Sequence, residues 1–274
     1  MAINYASKYS PVVDERFTKA SVTGSAVNDN YDWLGVKTLN VYSIPTVAMV
    51  NYTRSGGQRY GTPGEIENKV QEMTMKMDRS FTCTVDRGNF SETMMTSNAG
   101  QVLRRQIDEV VIPEIDVYRL AKMVAGAGNT NPTPTVINET NAHIALLDAD
   151  VALTEKLAPP EGRIAFVSPT FYKFIKLDKS FIKQGDLSQN MMINGLVGMV
   201  DNVRIVRVPS SYLPVSTEFI MTHPVATVAP QKLEEFRIHE NPPGISGWLI
   251  EGRILYDAFI LDEKKNAIYV HKSA

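Results

Sequence analysis

Residues 72–86 read Glu72-Met73-Thr74-Met75-Lys76-Met77-Asp78-Arg79-Ser80-Phe81-Thr82-Cys83-Thr84-Val85-Asp86. Met73, Met75, Met77, Phe81, Cys83 and Val85 share one parity and the polar residues take the other, with Arg79 the one exception. Successive side chains of a strand point to opposite faces, so this period predicts a strand with one apolar face. Its partner is predicted upstream, from Val36 to Tyr52, through Leu39, Val41, Ile44, Val47 and Met49. Between the two, residues 54–65 carry Gly56, Gly57, Gly61, Pro63 and Gly64, the composition of a turn-rich tip. The product is a long two-stranded arm. A lone hairpin is marginal in water. No nearby sequence obviously covers the apolar face, so its expected cover is another copy of the chain.

The rest of the composition narrows the class. The chain has 274 residues, 43% of them hydrophobic, which is enough for a sizeable core, and a formal net charge of -2. That balance argues against broad nucleic-acid binding, which needs a basic surface. The one cysteine, Cys83, rules out a disulfide framework and a multi-cysteine metal site, and its parity predicts a small buried thiol. Met1 to Ser10 hold no hydrophobic stretch, so no secretory signal is expected there. No run approaches the ~18 apolar residues of a membrane span, so the expected setting is the cytosol.

Either side of the hairpin, the pattern is mixed. Ala2 to Trp33 is polar and turn-rich, yet Tyr5, Tyr9, Val12, Val13, Phe17, Val22, Val27, Tyr31 and Trp33 are too apolar for a solvated tail. This segment is expected to lie against its own chain or a neighbour. A long helix is predicted from Ser97 to Ala125, capped by Thr96 or Ser97, stopped by Gly126 and Gly128, and kinked or broken at Pro113. Its charged residues, Asp108, Asp116 and Arg119 among them, read as a solvated face. A second helix spans Asn141 to Leu157 with Ile144, Leu147, Val151 and Leu157 inward. Arg163 to Val167 reads as a buried strand. Ser168-Pro169 then reads as a cap followed by proline in the first turn of a short helix ending at Leu177. Strands follow at Val203–Val208, Glu218–Thr222, Lys232–His239, Trp248–Leu261 and Ala267–His271. The fold class is α+β.

No constellation of catalytic or metal-binding type emerges. His143, His223, His239 and His271 form no ligand spacing. Ser168 lacks the glycines of a nucleophile elbow. Arg54-Ser55-Gly56-Gly57-Gln58-Arg59 lacks the Lys-Ser/Thr end of a phosphate loop. No cofactor is expected.

The order of parts resembles the major capsid proteins of tailed bacteriophages. The local marks are Ala2-Ile3-Asn4-Tyr5-Ala6, the helix segment Val111 to Tyr118, Phe166-Val167-Ser168-Pro169, Gly198 to Val203 running on to Leu213-Pro214, and His223-Pro224-Val225-Ala226. The resemblance implies an HK-ninety-seven-like capsid fold: an N-arm over 1–34, an E-loop hairpin over 35–88 and a spine helix and P-domain over 89–163. An A-domain over 164–232 and a P-domain strand return over 233–274 complete it. It implies a structural protein, not an enzyme, that self-assembles as pentamers and hexamers into an icosahedral shell in the host cytoplasm. Portal and scaffolding proteins are the expected partners, with DNA inside bound without sequence specificity. Expected assembly contacts are Tyr5, Tyr9, Phe17, Trp33, Arg54, Arg59, Tyr60, Met73, Met75 and Met77. Two other readings are an encapsulin-type protein compartment, which shares the fold, and an oligomeric enzyme.

Overall fold

The computed structural model describes residues 21–28, 30, 31, 33, 38–44, 46–88, 99–178, 199, 200 and 202–273. Tyr5, Tyr9, Phe17, the expected helix cap at Thr96 or Ser97 and most of the loop after Asp178 lie outside these residues.

The largest core forms around a six-stranded mixed sheet. Its strands are β4 (Asn129–Thr130), β5 (Ile164–Val167), β6 (Met199–Val200), β7 (Val203–Arg207), β8 (Thr217–Thr222) and β13 (Ile268–Lys272), in the order β4-β13-β8-β5-β7-β6. Every residue of β5 is buried, as its unbroken apolar run predicts. It pairs parallel with β7 and antiparallel with β8. A short helix, Pro169–Leu177, links β5 to the β6/β7 region. Ser168 Oγ accepts from the Phe171 amide at 3.1 Å and Pro169 opens the first turn, as expected.

The preceding helix, Ala142–Glu155, corrects the predicted inward face. Ala142, Ala145, Leu146, Ala149 and Leu153 are buried, whereas Ile144, Val151 and Leu157 are exposed and Leu147 is half-buried. Three alanines let this helix approach the sheet closely. The buried Arg163 fixes its far end: Nη2 donates to Ala158 O (2.7 Å), Nε to Pro159 O (2.9 Å) and Nη1 to Asp150 Oδ1 (2.5 Å) and Thr154 Oγ1 (3.0 Å). The arginine thereby ties the loop just past the helix, through the Ala158 and Pro159 carbonyls, to Asp150 and Thr154 in the helix's last turns.

A second sheet joins β10 (Gln231–Glu240), β11 (Gly247–Tyr256) and β3 (Met77–Asp86), antiparallel throughout. The long helix crosses one face of it. It runs from Ala99 to Gln106, passes through a π turn at Ile107–Val111 and continues from Ile112 to Ala125. The Ile112 amide donates to Ile107 O, five residues back. Pro113 cannot donate to the preceding turn, and the wider turn just upstream is where the helix absorbs it. Arg79, the exception in the alternating run, points at this helix: its Nε donates to Glu114 Oε1 at 2.7 Å, and Tyr256 OH donates to the same oxygen at 3.1 Å.

The run at residues 72–86 is two strands rather than one. Among the described residues β2 (Lys69–Thr74) pairs with β1 (Thr38–Ser43) alone, in register from Thr38↔Thr74 to Ser43↔Lys69. β3 belongs to the second sheet. The break falls at Met75 and Lys76, where the Lys76 amide donates to Asp257 Oδ2 at 2.9 Å. The apolar parity continues across the break because each half packs on a different cluster. Met73 and Met75 join Trp33, Val228 and Leu261, and Met77 packs on Ile115, Ile254 and Tyr256.

The long helix also departs from the expected solvated face. Asp108, Asp116 and Arg119 are buried. Residues 21–23 meet Asp116 and Arg119, so long-range docking of the N-terminal segment removes these two groups from water.

Candidate assembly surfaces

The hairpin has a base that its own chain holds. Met75 is 0% exposed and Met73 1%. Trp33 stacks on Phe259, with ring centroids 5.6 Å apart and 10° between planes, and closes the same cluster. The Gln71 side chain acts as a two-way clasp: Nε2 donates to Ile260 O (2.8 Å) and Oε1 accepts from the Asp262 amide (3.1 Å). Asp257 ties this joint to the long helix, since Tyr118 OH donates to Asp257 Oδ1 at 2.7 Å while Lys76 N donates to Oδ2. The expectation that another copy covers Met73 and Met75, and that Trp33 faces a neighbour, is therefore corrected. The cover comes from residues 33, 228, 255, 259 and 261, which sequence distance concealed.

Beyond Ile44 the arm changes character. Strand pairing ends at Ser43↔Lys69. Ile44, Val47, Met49, Val50, Tyr52, Tyr60 and Ile66 are exposed, Met49 completely and Tyr60 at 85%. The tip is shaped by a backbone bond from Thr53 N to Arg59 O (3.1 Å), by an edge-to-face contact of Tyr52 with Tyr60 (5.0 Å), and by Gly61 at φ +89°. Arg54 and Arg59 are exposed there, Arg59 donating to Gly56 O. A run of large apolar side chains in water on a weakly paired arm is the signature of a surface meant for contact. Arg54, Arg59 and Tyr60 thus lie on the open part of the arm. Ile44, Val47 and Met49, which the sequence pattern assigned to the paired strand Val36–Tyr52, lie past the last strand pair and belong with them, as does Ile66.

The N-terminal segment is strapped onto the long helix. Asp116 accepts from Ser21 Oγ (2.6 Å), the Val22 amide (2.9 Å), the Thr23 amide (3.4 Å) and Thr23 Oγ1 (2.5 Å). Arg119 Nη1 donates to Thr23 Oγ1 at 3.3 Å. Farther on, Asn28 N donates to Thr227 O at 2.8 Å. The strap holds residues 21–28 against the body.

The outer face of the second sheet is charged, with Arg253 bidentate to Asp78 (2.9 and 2.6 Å), Arg237 beside Glu235 and His239 beside Glu251. These pairs are exposed and each is worth little. Burial pushes the Cys83 thiol up and lowers His271 and His223. Burial and the neighbouring Glu114 carboxylate push Tyr256 up to about 12. Among the described residues no group of three or more His, Cys, Asp or Glu is placed to hold a metal ion, and no helix is long and apolar enough to cross a membrane.

No family model and no curated protein matches the sequence. Solved structures do match the fold. The capsid structure of the cyanophage P-SCSP1u shares 13% identity over 98% of this chain and 93% of that one, with a TM-score of 0.75. A structure from Mycobacterium phage Che8 shares 16% over 97% of each chain, with a TM-score of 0.71. A virus-like particle from Pyrococcus furiosus shares 12% over 86% of each chain, with a TM-score of 0.51. The chain has the HK-ninety-seven-like α+β fold along nearly its whole length.

Proposed function

We propose that this chain is a structural major capsid protein that assembles into the icosahedral head shell of a tailed phage, around DNA held without sequence-specific contacts. One observation carries the reading: an arm whose base is clasped by its own chain and whose distal apolar residues, Ile44 to Ile66, are left to water. Burying an aliphatic or aromatic side chain contributes about 1.5–3 kcal/mol, so five or six of them yield roughly 10 kcal/mol. Association costs about 4–15 kcal/mol. One arm contact is close to break-even, and a closed ring in which every copy both gives and receives an arm is what tips the balance.

The segments take the roles of arm (1–34), E-loop (35–88), spine helix and P-domain (89–163), A-domain (164–232) and P-domain return (233–274). The role is structural rather than enzymatic. Pentamers and hexamers of the chain, a portal and a scaffolding protein are the partners, and the shell forms in the host cytoplasm and ends in the virion. Arg54, Arg59 and Tyr60 are the arm-tip contacts, and Tyr5, Tyr9 and Phe17 extend the contact beyond the strap.

The virus-like particle from Pyrococcus furiosus favours a second reading, a protein compartment of the same fold. Electron microscopy of the purified protein tests the shell, and its contents separate the two readings: DNA for a head, a protein cargo for a compartment. A protein that stays monomeric at high concentration, alone and with the co-expressed scaffold of its source, overturns both.

A further inference from the structure

The two helices on the six-stranded sheet carry opposite charge on opposite flanks. On the helix Ala142–Glu155, numbered α1 here, Ile144, Asp148, Val151 and Glu155 follow the i, i+4, i+7, i+11 line and are all exposed. Asp148 lies on the β13 side, where its charge acts on Tyr269 and His271. On the helix Pro169–Leu177, numbered α2, the charged side chains are both basic, Lys173 exposed and Lys176 half-exposed. Lys176 Nζ and the Arg207 guanidinium from β7 each sit 4.9 Å from the centre of the Tyr172 ring, and Lys173 is exposed one turn away. The α1 and α2 helices adjoin one another, the Asp178 carboxylate at the end of α2 accepting from the His143 amide at the start of α1 at 3.1 Å. β13 and β7 are three strands apart in the sheet order, roughly 14 Å at the usual strand spacing. One copy therefore presents an apolar, acidic ridge on one flank of its helical layer and a basic, aromatic-braced patch on the other.

We infer that these flanks are mates: the Ile144–Asp148–Val151–Glu155 ridge of one copy docks on the Lys173–Lys176–Arg207 patch of the next. The occupant of each flank is a second copy of this chain, and the contact is head-to-tail, the geometry that closes rings. Complementary charge gives the contact its register, and Ile144 and Val151 supply apolar area at its centre. Holding Lys176 and Arg207 over one ring reduces the side-chain freedom lost on docking. The inference rests on the shell reading and adds a second contact, independent of the hairpin.

The test compares four chains under one assembly condition: wild type, Asp148→Lys with Glu155→Lys, Lys173→Glu with Lys176→Glu, and all four substitutions together. Circular dichroism checks folding, and sedimentation with electron microscopy gives the fraction in shells. Each pair of reversals is expected to lower that fraction at least tenfold, and the four-fold variant to return within about threefold of wild type. If either pair assembles like wild type, or if the combined variant does no better than the worse pair, the flank contact is overturned while wild-type shells leave the shell reading standing. A wild type that forms no shells overturns both. Should a reversal fail to fold, the neutral variants Asp148→Asn with Glu155→Gln and Lys173→Gln with Lys176→Gln replace it. These are expected to weaken assembly and flatten its dependence on salt, and an unchanged salt dependence overturns the contact.

Discussion

Thr23 Oγ1 donates to Asp116 Oδ1 at 2.5 Å, joining residues 93 positions apart. With Ser21 Oγ and the Val22 and Thr23 amides on the same carboxylate, this one side chain seats the N-terminal strap on the long helix. Hydrogen bonds to a buried charged group are worth roughly 1.5–3 kcal/mol each, and donors stranded without a partner add a penalty.

Asp116→Ala is expected to destabilise the protomer by about 3 kcal/mol and to speed amide exchange at 22–28 far more than along the helix. Native-state hydrogen exchange measures it. Equal protection of residues 22–28 in the two proteins would show that the strap is held by its apolar contacts alone.

The hairpin divides into a folding half and an assembly half. Met75→Asp places a charge in a site with no exposure, so it should lower the melting temperature of the protomer itself, because an unpaired buried charge loses its hydration. Met49→Asp and Tyr60→Asp sit in the open part of the arm and should leave melting unchanged while abolishing shells. Thermal melts set against micrographs of the same samples decide the matter; a Met49→Asp variant that builds normal shells contradicts the contact role of the arm.

Arg163 is expected to be intolerant even of lysine. Its guanidinium reaches Ala158 O, Pro159 O, Asp150 and Thr154 at once, and an ammonium has no fork to match that set. Arg163→Lys and Arg163→Ala should both cost about 3–5 kcal/mol, the range for breaking a buried charged pair. Urea midpoints of the two variants test this, and a lysine variant as stable as wild type refutes the geometric argument.

Gly247 has φ +143°, and a Cβ there would sit 2.1 Å from Val85 O. Gly247→Ala should therefore part β11 from β3 at that end and cost roughly 2 kcal/mol or more. Faster exchange at the Arg87 amide, which donates to Ser246 O, is the local readout, and an unperturbed Arg87 would count against it.

Acid should weaken the protomer through His271 and His223, both with lowered pKa. Burial is the largest cause for each, and the His223 ring is further committed, since Nδ1 accepts from the Val225 amide while Nε2 faces Glu161 O at 3.0 Å. Because the folded pKa lies below the unfolded value near 6.5, the unfolded chain binds protons first. Stability is full above that value and is lost as pH falls through the folded pKa. Melting temperature should decline from pH 7 towards pH 5, with a shallower slope in His223→Asn, whose amide oxygen can accept from Val225 without titrating. Identical slopes would remove His223 from this role.

What residues 72–86 disclose unaided is local. A pleat forces alternation, so strand character, the helix cap at Ser168 and the disturbance caused by Pro113 could be read from neighbours in the chain. The order of arm, hairpin, long helix and mixed domain was legible for the same reason, since each part announces itself by its own period. Which apolar residues are covered was not. Met73 and Met75 are buried because Trp33, Val228 and Leu261 converge on them from remote parts of the chain, and Met49 is bare because nothing does. The same holds for the helix Ala142–Glu155, where two apolar stripes compete and close approach to the sheet selects the one built of alanine. Periodicity depends on a few consecutive bonds, whereas burial depends on long-range meetings. The chain by itself therefore determined the strand or helix character of its segments, and only the tertiary structure decided where the run at 72–86 breaks, where the hairpin pairing stops and which faces are left for a neighbour.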